Sequence, residues 1–280
     1  MSTETLWITL AALLGLVVGS FLNVVALRLP ARLWHQYRRE CREDLGLEAP
    51  SEEPPPGLLG PPSHCPACGH RLRPWENVPV VSWLLQRGRC RACGTAISVR
   101  YPVVELAAAG LAVWAVAAAG PGPQALAYAG LGWTLLTLSL IDLDHQLLPD
   151  GPTLGLLWAG LLLATLGIGP PPATAIIGAA AGFSALWLVA TGYRLLAGRE
   201  GLGGGDLKLL AALGAWVGWQ PLPLVVIASA VPGAVIGLLL TAGGRNRHEP
   251  LPFGPFLALG GWFVVLHGDQ LARWLYGAPL

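Results

Sequence analysis

Residues 106–140 contain no charged side chain and read LAAAGLAVWAVAAAGPGPQALAYAGLGWTLLTLSL. Residues 151–193 and 209–244 are likewise free of charge. Each stretch is far longer than a buried core helix and is long enough for about two membrane spans of roughly 20 residues. Over the whole chain 12% of the residues are charged, whereas a soluble domain has roughly 25%. We therefore expect a polytopic membrane protein.

Proline-rich breaks divide the charge-free stretches. They lie at 120–123, 169–172 and 220–223, and proline clusters of this kind end helices and form turns. The apolar runs do not alternate with polar residues, as the strands of a membrane β-barrel do. The predicted fold is therefore all-α, with about eight transmembrane helices. Their predicted ranges are 6–29, 102–119, 124–141, 153–169, 173–197, 206–219, 221–242 and 255–276.

The basic residues indicate the orientation. Eleven arginines lie in residues 28–100, and 16 of the 17 lysines and arginines fall on one side of the predicted topology. Basic loops stay in the cytoplasm, so we expect both termini outside and a division into a first span (1–29), a cytoplasmic loop (30–100) and a seven-helix membrane domain (101–280). The net charge of +1 gives no reason to expect a nucleic-acid partner.

Two CxxC pairs lie in the cytoplasmic loop, and each is followed by a glycine that permits a tight turn. Four thiolates in two such knuckles are typical of a closed, structural zinc site. Disulfides are the first alternative, although the cytoplasm disfavours them. An iron–sulfur cluster is the second, although its cysteines usually have other spacings. The predicted zinc ligands, in a module over 63–98, are Cys65, Cys68, Cys90 and Cys93.

The remaining metal-binding side chains near this module are expected to be bystanders. Cys41 has no partner in the pattern of spacings, and His64 and His70 only flank the first knuckle. Because the four cysteines already fill a tetrahedral shell, we expect both histidines to be surface residues.

Carboxylates cluster where two predicted spans meet the cytoplasmic face. Asp142 lies where one helix leaves the bilayer, and Asp206 lies where another enters it, after Gly203-Gly204-Gly205. The predicted topology therefore places both aspartates on one face at a similar depth. Two carboxylates in a low-dielectric site share a proton, so that one can activate water while the other protonates the leaving group. The glycines would let an extended peptide approach the backbone closely.

These residue patterns alone leave several alternatives open. Asp142 or Asp150 could be a solvated helix-end residue, and Asp206 could be the N-cap of its helix. Membrane carboxylates also serve as proton relays or cation sites in ion-coupled transporters. From topology alone, the protease and transporter interpretations are equally supported.

Taken together, the motifs resemble those of the type IV prepilin peptidase family, whose members are bifunctional leader peptidases and N-methyltransferases. The GxGD signature of that family matches Gly203, Gly205 and Asp206. The resemblance extends over nearly the whole chain. The matching segments are Gly19–Val24, Trp75–Pro79 with the CxxC pairs, Tyr101–Leu106, Asp142–Asp150, Gly203–Asp206 and Pro252–Pro255.

The resemblance implies that Asp142 and Asp206 are the catalytic aspartates of an aspartic endopeptidase. It implies prepilin and pseudopilin substrates, cleaved on the cytoplasmic side of the bacterial inner membrane after a glycine. It also implies methylation of the new N-terminal residue with S-adenosyl-L-methionine, in type IV pilus or type II secretion systems. A peptidase that lacks the methyltransferase activity is the alternative within this class.

For the other site residues, the sequence predicts only supporting roles. Asp144 and Asp150 could tune the dyad, bind the basic leader or cap a turn. Glu105 suits the first turn of its helix. Lys208, the only lysine, could pair with a carboxylate or extend to the interface. No motif for the methyl donor is recognisable, because no glycine-rich strand-to-helix turn is present.

Overall fold

The computed structural model describes residues 2–48, 53–198, 201–244 and 251–276. Within these ranges the chain is helical, with two isolated bridges and no strand. A short 3-10 helix, Pro74–Glu76, lies in the segment that carries the cysteines. The α-helices are α1 (Thr3–Asp44), α2 (Val81–Leu85), α3 (Arg100–Ala119), α4 (Pro123–His145), α5 (Asp150–Thr165), α6 (Pro172–Ala197), α7 (Gly204–Val217), α8 (Leu222–Ala242) and α9 (Gly254–Tyr276).

Each of the eight predicted segments contains a helix, and the all-α prediction is confirmed for the described residues. Two predicted ends are wrong: α5 ends at Thr165 and not at 169, and α7 ends at Val217 and not at 219, because Gly167 and Gly218 adopt positive φ angles just beyond them. Five helices, α1, α3, α4, α6 and α8, are long and apolar enough to cross a membrane. In α9 the apolar part is shorter, and α5 and α7 have only 16 and 14 residues. At 1.5 Å per residue these two helices are about 24 and 21 Å long, against a hydrocarbon core of about 30 Å. The predicted number of eight spans is therefore not confirmed.

The first helix is much longer than predicted. Its end at residue 29 is wrong, because α1 continues through a buried Pro30 to Asp44. Residues 31–44 are polar but consist largely of good helix formers. Side-chain pairs four residues apart support this extension: Gln36 donates to Glu40 at 2.8 Å, and Arg39 pairs with Glu43 at 2.7 Å. The hydropathy of the sequence predicts the apolar part of α1, but it does not predict that the helix continues beyond that part.

Two compact units divide the chain, Met1–Val116 and Ala117–Leu280. In the first unit, α1 and α3 approach backbone to backbone. A Cβ atom on Gly15 would lie 2.5 Å from the Cα of Ala109, and one on Gly19 would lie 2.6 Å from the Cα of Glu105. Small residues allow such close helix contacts in membranes. Asn23 Nδ2 donates to the Tyr101 carbonyl at 3.2 Å at the end of this contact.

In the second unit, the short helix α7 is the buried centre. It packs against α5, α6 and α9, and Leu209, Leu210 and Leu213 are fully buried. Gly178 on α6 and Gly214 on α7 touch so closely that neither has room for a Cβ atom. A helix enclosed by protein does not need to match the bilayer thickness, which explains how α7 can be short. This packing fixes the start of α7, where Asp206 lies.

Three of the basic residues that indicate the orientation lie beyond the described ranges. Arg199, Arg245 and Arg247 belong to the basic residues that the sequence assigns to the cytoplasmic side, and all three lie outside the described residues.

Candidate active site

Asp142 lies near the end of α4 and is the better anchored of the two aspartates. The helix ends at Gln146, which adopts the left-handed conformation with φ 51° and turns the chain towards α5. Asp142 is 6% exposed, and its Oδ2 accepts a 2.9 Å hydrogen bond from the backbone N–H of Gly254. Gly254 is the first residue of α9. Asp142 therefore satisfies an N–H group that the helix itself cannot pair, and the positive end of the α9 dipole faces a carboxylate.

Asp206 lies in the first turn of α7. The N-cap of this helix is Gly203, so the alternative that Asp206 is the N-cap is wrong. The side chain is 8% exposed, and its Oδ1 is buried with no hydrogen-bond partner among the described residues. An unpaired buried oxygen costs roughly 1–3 kcal/mol. Such a group in a folded protein calls for an explanation, of which a catalytic role is one.

Leu148 connects the surroundings of the two aspartates. A Cβ atom on Gly205, next to Asp206, would lie 2.7 Å from the Leu148 Cβ, and one on Gly254 would lie 3.0 Å from its Cδ2. The Asp142 carboxylate is close enough to act electrostatically on Asp206. The fold thus brings together two aspartates that are 64 positions apart in the sequence. Leu148 and the donor role of Gly254 were missed by the sequence reasoning, because neither has a chemical signature.

The supporting residues occupy different surroundings. Lys208 Nζ pairs with Asp150 Oδ1 at 2.6 Å, and both side chains are substantially exposed. This contact favours the pairing alternative for Lys208. Asp144 is exposed. Glu105 belongs to the first unit, and its predicted place in the first turn of its helix is wrong, because α3 already begins at Arg100. Its Oε2 accepts a 2.7 Å hydrogen bond from the Val80 backbone N–H.

The four cysteines of the two CxxC pairs converge in the first unit. Their sulfur atoms all lie within 4.8 Å of one another, with separations of 3.8 Å between Cys65 and Cys93 and 4.0 Å between Cys68 and Cys90. A tetrahedron with Zn–S bonds of about 2.3 Å has edges of about 3.8 Å. A disulfide would require about 2.05 Å. The geometry fits a metal ion and not a disulfide.

The turns and electrostatics of this cluster also suit a metal ion. Gly69 and Gly94 adopt positive φ angles of 71° and 74°, as the sequence predicted for two tight knuckles. Side-chain and backbone hydrogen bonds between Cys93 and Thr95 lower the pKa of Cys93 to about 6. Although a backbone hydrogen bond from His70 opposes the change, the neighbouring thiols raise the pKa of Cys68 to about 12. Four thiolates can coexist here only if a cation offsets their repulsion.

The other candidate ligands stay outside the cluster. Cys41 is not part of it, and His64 is exposed. His70 Nε2 lies 3.1 Å from the Glu76 carboxylate. Neither histidine belongs to the group of possible metal ligands in the described residues.

Two family models match the chain. Residues 13–119 match the bacterial peptidase A24 N-terminal domain, and residues 129–238 match the type IV leader peptidase family. The first match ends close to the boundary between the two compact units, after Val116. The N-terminal unit, with its cysteine cluster, and the unit with the aspartates therefore correspond to two recognised family domains.

Several curated proteins named prepilin leader peptidase/N-methyltransferase are similar to nearly the whole chain. The protein from Pseudomonas putida is 49% identical over 266 residues, which cover 95% of this chain and 92% of that protein. The one from Burkholderia pseudomallei (strain 1026b) is 51% identical over 270 residues, covering 95% and 87%. The one from Aeromonas hydrophila is 46% identical over 275 residues, covering 96% and 93%.

No solved structure matches the chain significantly. The level of identity to the curated proteins and its extent over both units are sufficient to define the family. The chain belongs to the type IV leader peptidase family, among the prepilin leader peptidase/N-methyltransferases.

Proposed function

We propose that this chain cleaves the leader of prepilins and pseudopilins with Asp142 and Asp206 as its catalytic pair, and then methylates the new N-terminal residue. Leader cleavage and N-methylation are the activities of the family. The assignment of the two aspartates is ours. It rests above all on one observation: among the described residues, Asp206 has a buried carboxylate oxygen with no hydrogen-bond partner, and it lies beside Asp142, which is itself held by a backbone N–H.

The proposed cleavage uses the two carboxylates with one shared proton. One carboxylate takes a proton from a water molecule as that water attacks the peptide carbonyl carbon. The other carboxyl donates its proton to the departing amine nitrogen, so that the pair exchanges roles during the reaction. Asp142 is fixed by Gly254, whereas Asp206 Oδ1 has no hydrogen-bond partner in the part of the chain that the structure describes, and so has none to give up when water or substrate arrives. Because the two carboxylates are held differently, they suit the two different tasks of activating water and protonating the amine.

Glycines leave space for the substrate backbone next to Asp206. A Cβ atom on Gly204 would meet nothing within 4 Å, and one on Gly203 would meet only the Asp206 carboxylate, at 3.4 Å. An extended peptide could therefore approach the start of α7 without side-chain obstruction. In this proposal the Asp150–Lys208 pair and Asp144 support the site and take no part in the chemistry.

The cysteine cluster is proposed to hold one structural zinc ion. Four cysteines complete a tetrahedral shell and leave no position for water, so the ion would stabilise a small module and would not activate a nucleophile. The observed sulfur separations support this assignment. Zinc is favoured over an iron–sulfur cluster because two CxxC pairs with this spacing are typical of structural zinc sites, whereas cluster ligands usually have other spacings.

Location and cofactor form a further part of the proposal. The distribution of basic residues supports a multi-pass protein of the inner membrane whose active site faces the cytoplasm, with a first span (1–29), a cytoplasmic loop (30–100) and a seven-helix domain (101–280). S-adenosyl-L-methionine is the proposed methyl donor, and type IV pilus assembly or type II secretion is the proposed context. A transporter built from inverted repeats would have matching interrupted helices in its two halves; the two aspartate-bearing segments of this sequence are unlike each other and the paired CxxC module occurs once, which favours the peptidase.

One experiment tests both proposed activities. Purified chain is incubated with a prepilin and S-adenosyl-L-methionine, and the masses of the leader and the mature pilin are measured. The proposal expects a leader that ends in glycine and a mature pilin heavier by one methyl group. Cleavage without the added methyl group would support the peptidase activity and refute the methyltransferase activity. An intact prepilin would refute the proposed substrate.

A further inference from the structure

The first unit contains a cavity of about 460 Å³ between the end of the α1 span, the cysteine module and the start of α3. All its lining residues lie within that unit. Pockets for small molecules and cofactors usually measure about 300–1,000 Å³. The cavity is therefore of the size that a nucleoside with an amino-acid side arm requires.

Two buried carboxylates line this cavity. Glu76 and Glu105 are each 6% exposed. Glu76 Oε2 accepts a 2.9 Å hydrogen bond from the Arg73 backbone N–H, which together with His70 lowers the pKa of Glu76. Buried carboxylates that face a cavity suit a ligand with a positive charge or with paired hydroxyl groups. The leader cleavage described above does not use either of them.

The cavity wall also carries an aromatic ring and a positive charge. Trp83 contributes an aromatic ring, held in place by a 3.1 Å hydrogen bond from its Nε1 to the Ile97 carbonyl. Gly88 packs against this ring, since a Cβ atom there would lie 2.9 Å from Trp83 Cζ2. A fixed aromatic ring offers a stacking surface for a purine base. Arg91, an exposed residue of the lining, supplies a positive charge for a carboxylate.

S-adenosyl-L-methionine combines all the groups that this lining complements. It has a purine base, a ribose with two hydroxyls, a positively charged sulfonium and a carboxylate. We propose that this cavity binds S-adenosyl-L-methionine, with Glu76 and Glu105 facing the ribose and sulfonium and Trp83 facing the base. This inference rests on the proposed methyltransferase function and adds the position of the cofactor.

Methyl transfer at such a site needs no reactant other than the methyl donor and the pilin amine. The neutral amine of the new N-terminal residue bonds to the methyl carbon as the carbon–sulfur bond breaks. The bonding electron pair stays on sulfur, and the methylated ammonium releases one proton to water. The products are the N-methylated pilin and S-adenosylhomocysteine. The carboxylates therefore act in binding and positioning, and no covalent enzyme intermediate is required.

Binding of labelled S-adenosyl-L-methionine to the full-length chain, measured by equilibrium dialysis, tests the proposal. Glu76→Gln and Glu105→Gln should each weaken binding at least tenfold, because each removes a negative charge from the cavity and retains an oxygen for its backbone donor. The matched control is Glu43→Gln, an exposed carboxylate on the α1 extension, which should bind as the unchanged chain does. Leader cleavage, measured alongside, should stay within threefold in all three variants.

The results separate failure of this inference from failure of the proposed function. An unchanged chain that methylates pilin, with both glutamine variants binding the donor normally, would overturn the cavity assignment alone. Normal donor binding with a raised KM for prepilin cleavage would also overturn it, and would indicate that the carboxylates bind the basic leader. An unchanged chain that neither binds the donor nor methylates would refute the methyltransferase function and the inference together.

A second measurement needs no variant. The chain is photolabelled with an 8-azido analogue of S-adenosyl-L-methionine, with and without an excess of S-adenosylhomocysteine, and the labelled peptides are identified by mass spectrometry. Protectable labelling within residues 63–105 is the expected result. Protectable labelling confined to residues 129–238 would overturn the proposal even if the glutamine variants failed to fold.

Discussion

Replacing Gly254 by alanine should damage the catalytic pair although neither aspartate is replaced. The added Cβ atom would lie 2.7 Å from Asp142 Oδ2, whereas ordinary contacts begin at 3.4 Å, so the carboxylate must recede by about 0.7 Å. The Gly254 N–H···Oδ2 bond would then lengthen from 2.9 Å to about 3.6 Å, which is no longer a hydrogen bond. Losing a bond to a charged group costs about 1.5–3 kcal/mol, or about ten- to hundredfold in rate.

The assay is the initial rate of leader cleavage on a purified prepilin, with metal content and melting temperature as measures of folding. Gly130→Ala is the matched control, since Gly130 lies on α4 with Asp142 but a Cβ atom there would meet nothing within 4 Å. The control should cleave at the normal rate. If Gly254→Ala also did so, Asp142 would not need the α9 N-terminus, and the proposed anchoring would be refuted.

Three further predictions concern the metal, the supporting carboxylate and the topology. Zinc content should fall from one ion per chain to none in a Cys65→Ser/Cys90→Ser double variant, with a lower melting temperature; stoichiometric zinc in that variant, measured by elemental analysis, would exclude the site. Asp150→Asn should reduce the cleavage rate less than tenfold, because exposed ion pairs contribute at most about 1 kcal/mol; a larger loss would give Asp150 a chemical role. Reporter fusions at 120–123 should behave as periplasmic and those at 243–248 as cytoplasmic, and the reverse at either position would contradict the orientation.

The helical architecture could be predicted from the sequence because the membrane imposes it. Long apolar stretches without charge and without alternation indicate helices buried in lipid or protein, and proline clusters show roughly where they end. The same signals could not predict the length of α1, since residues 31–44 extend it by propensity and side-chain pairing after the apolar signal has ended. They also could not show that α7 is enclosed by other helices, because burial in protein and burial in lipid favour the same apolar residues.

The candidate site was predictable where it carries charge or sulfur. Asp142, Asp206 and the four cysteines are conspicuous because ionisable groups near a membrane and paired CxxC motifs are rarely incidental. Leu148 and Gly254 act through shape and a backbone N–H, which no residue type signals. Glu105 was noticed only as a helix-end residue, and its place in the cavity wall became apparent from the fold.

The most direct test of the proposed mechanism is the separate measurement of leader cleavage and methylation in Asp206→Asn. Asparagine keeps the size of the side chain but can neither accept a proton from water nor share one with Asp142. Leader cleavage of a purified prepilin should be abolished, while an already cleaved pilin should still be methylated and the metal content should be unchanged. Cleavage at the normal rate in this variant would contradict the aspartic peptidase mechanism.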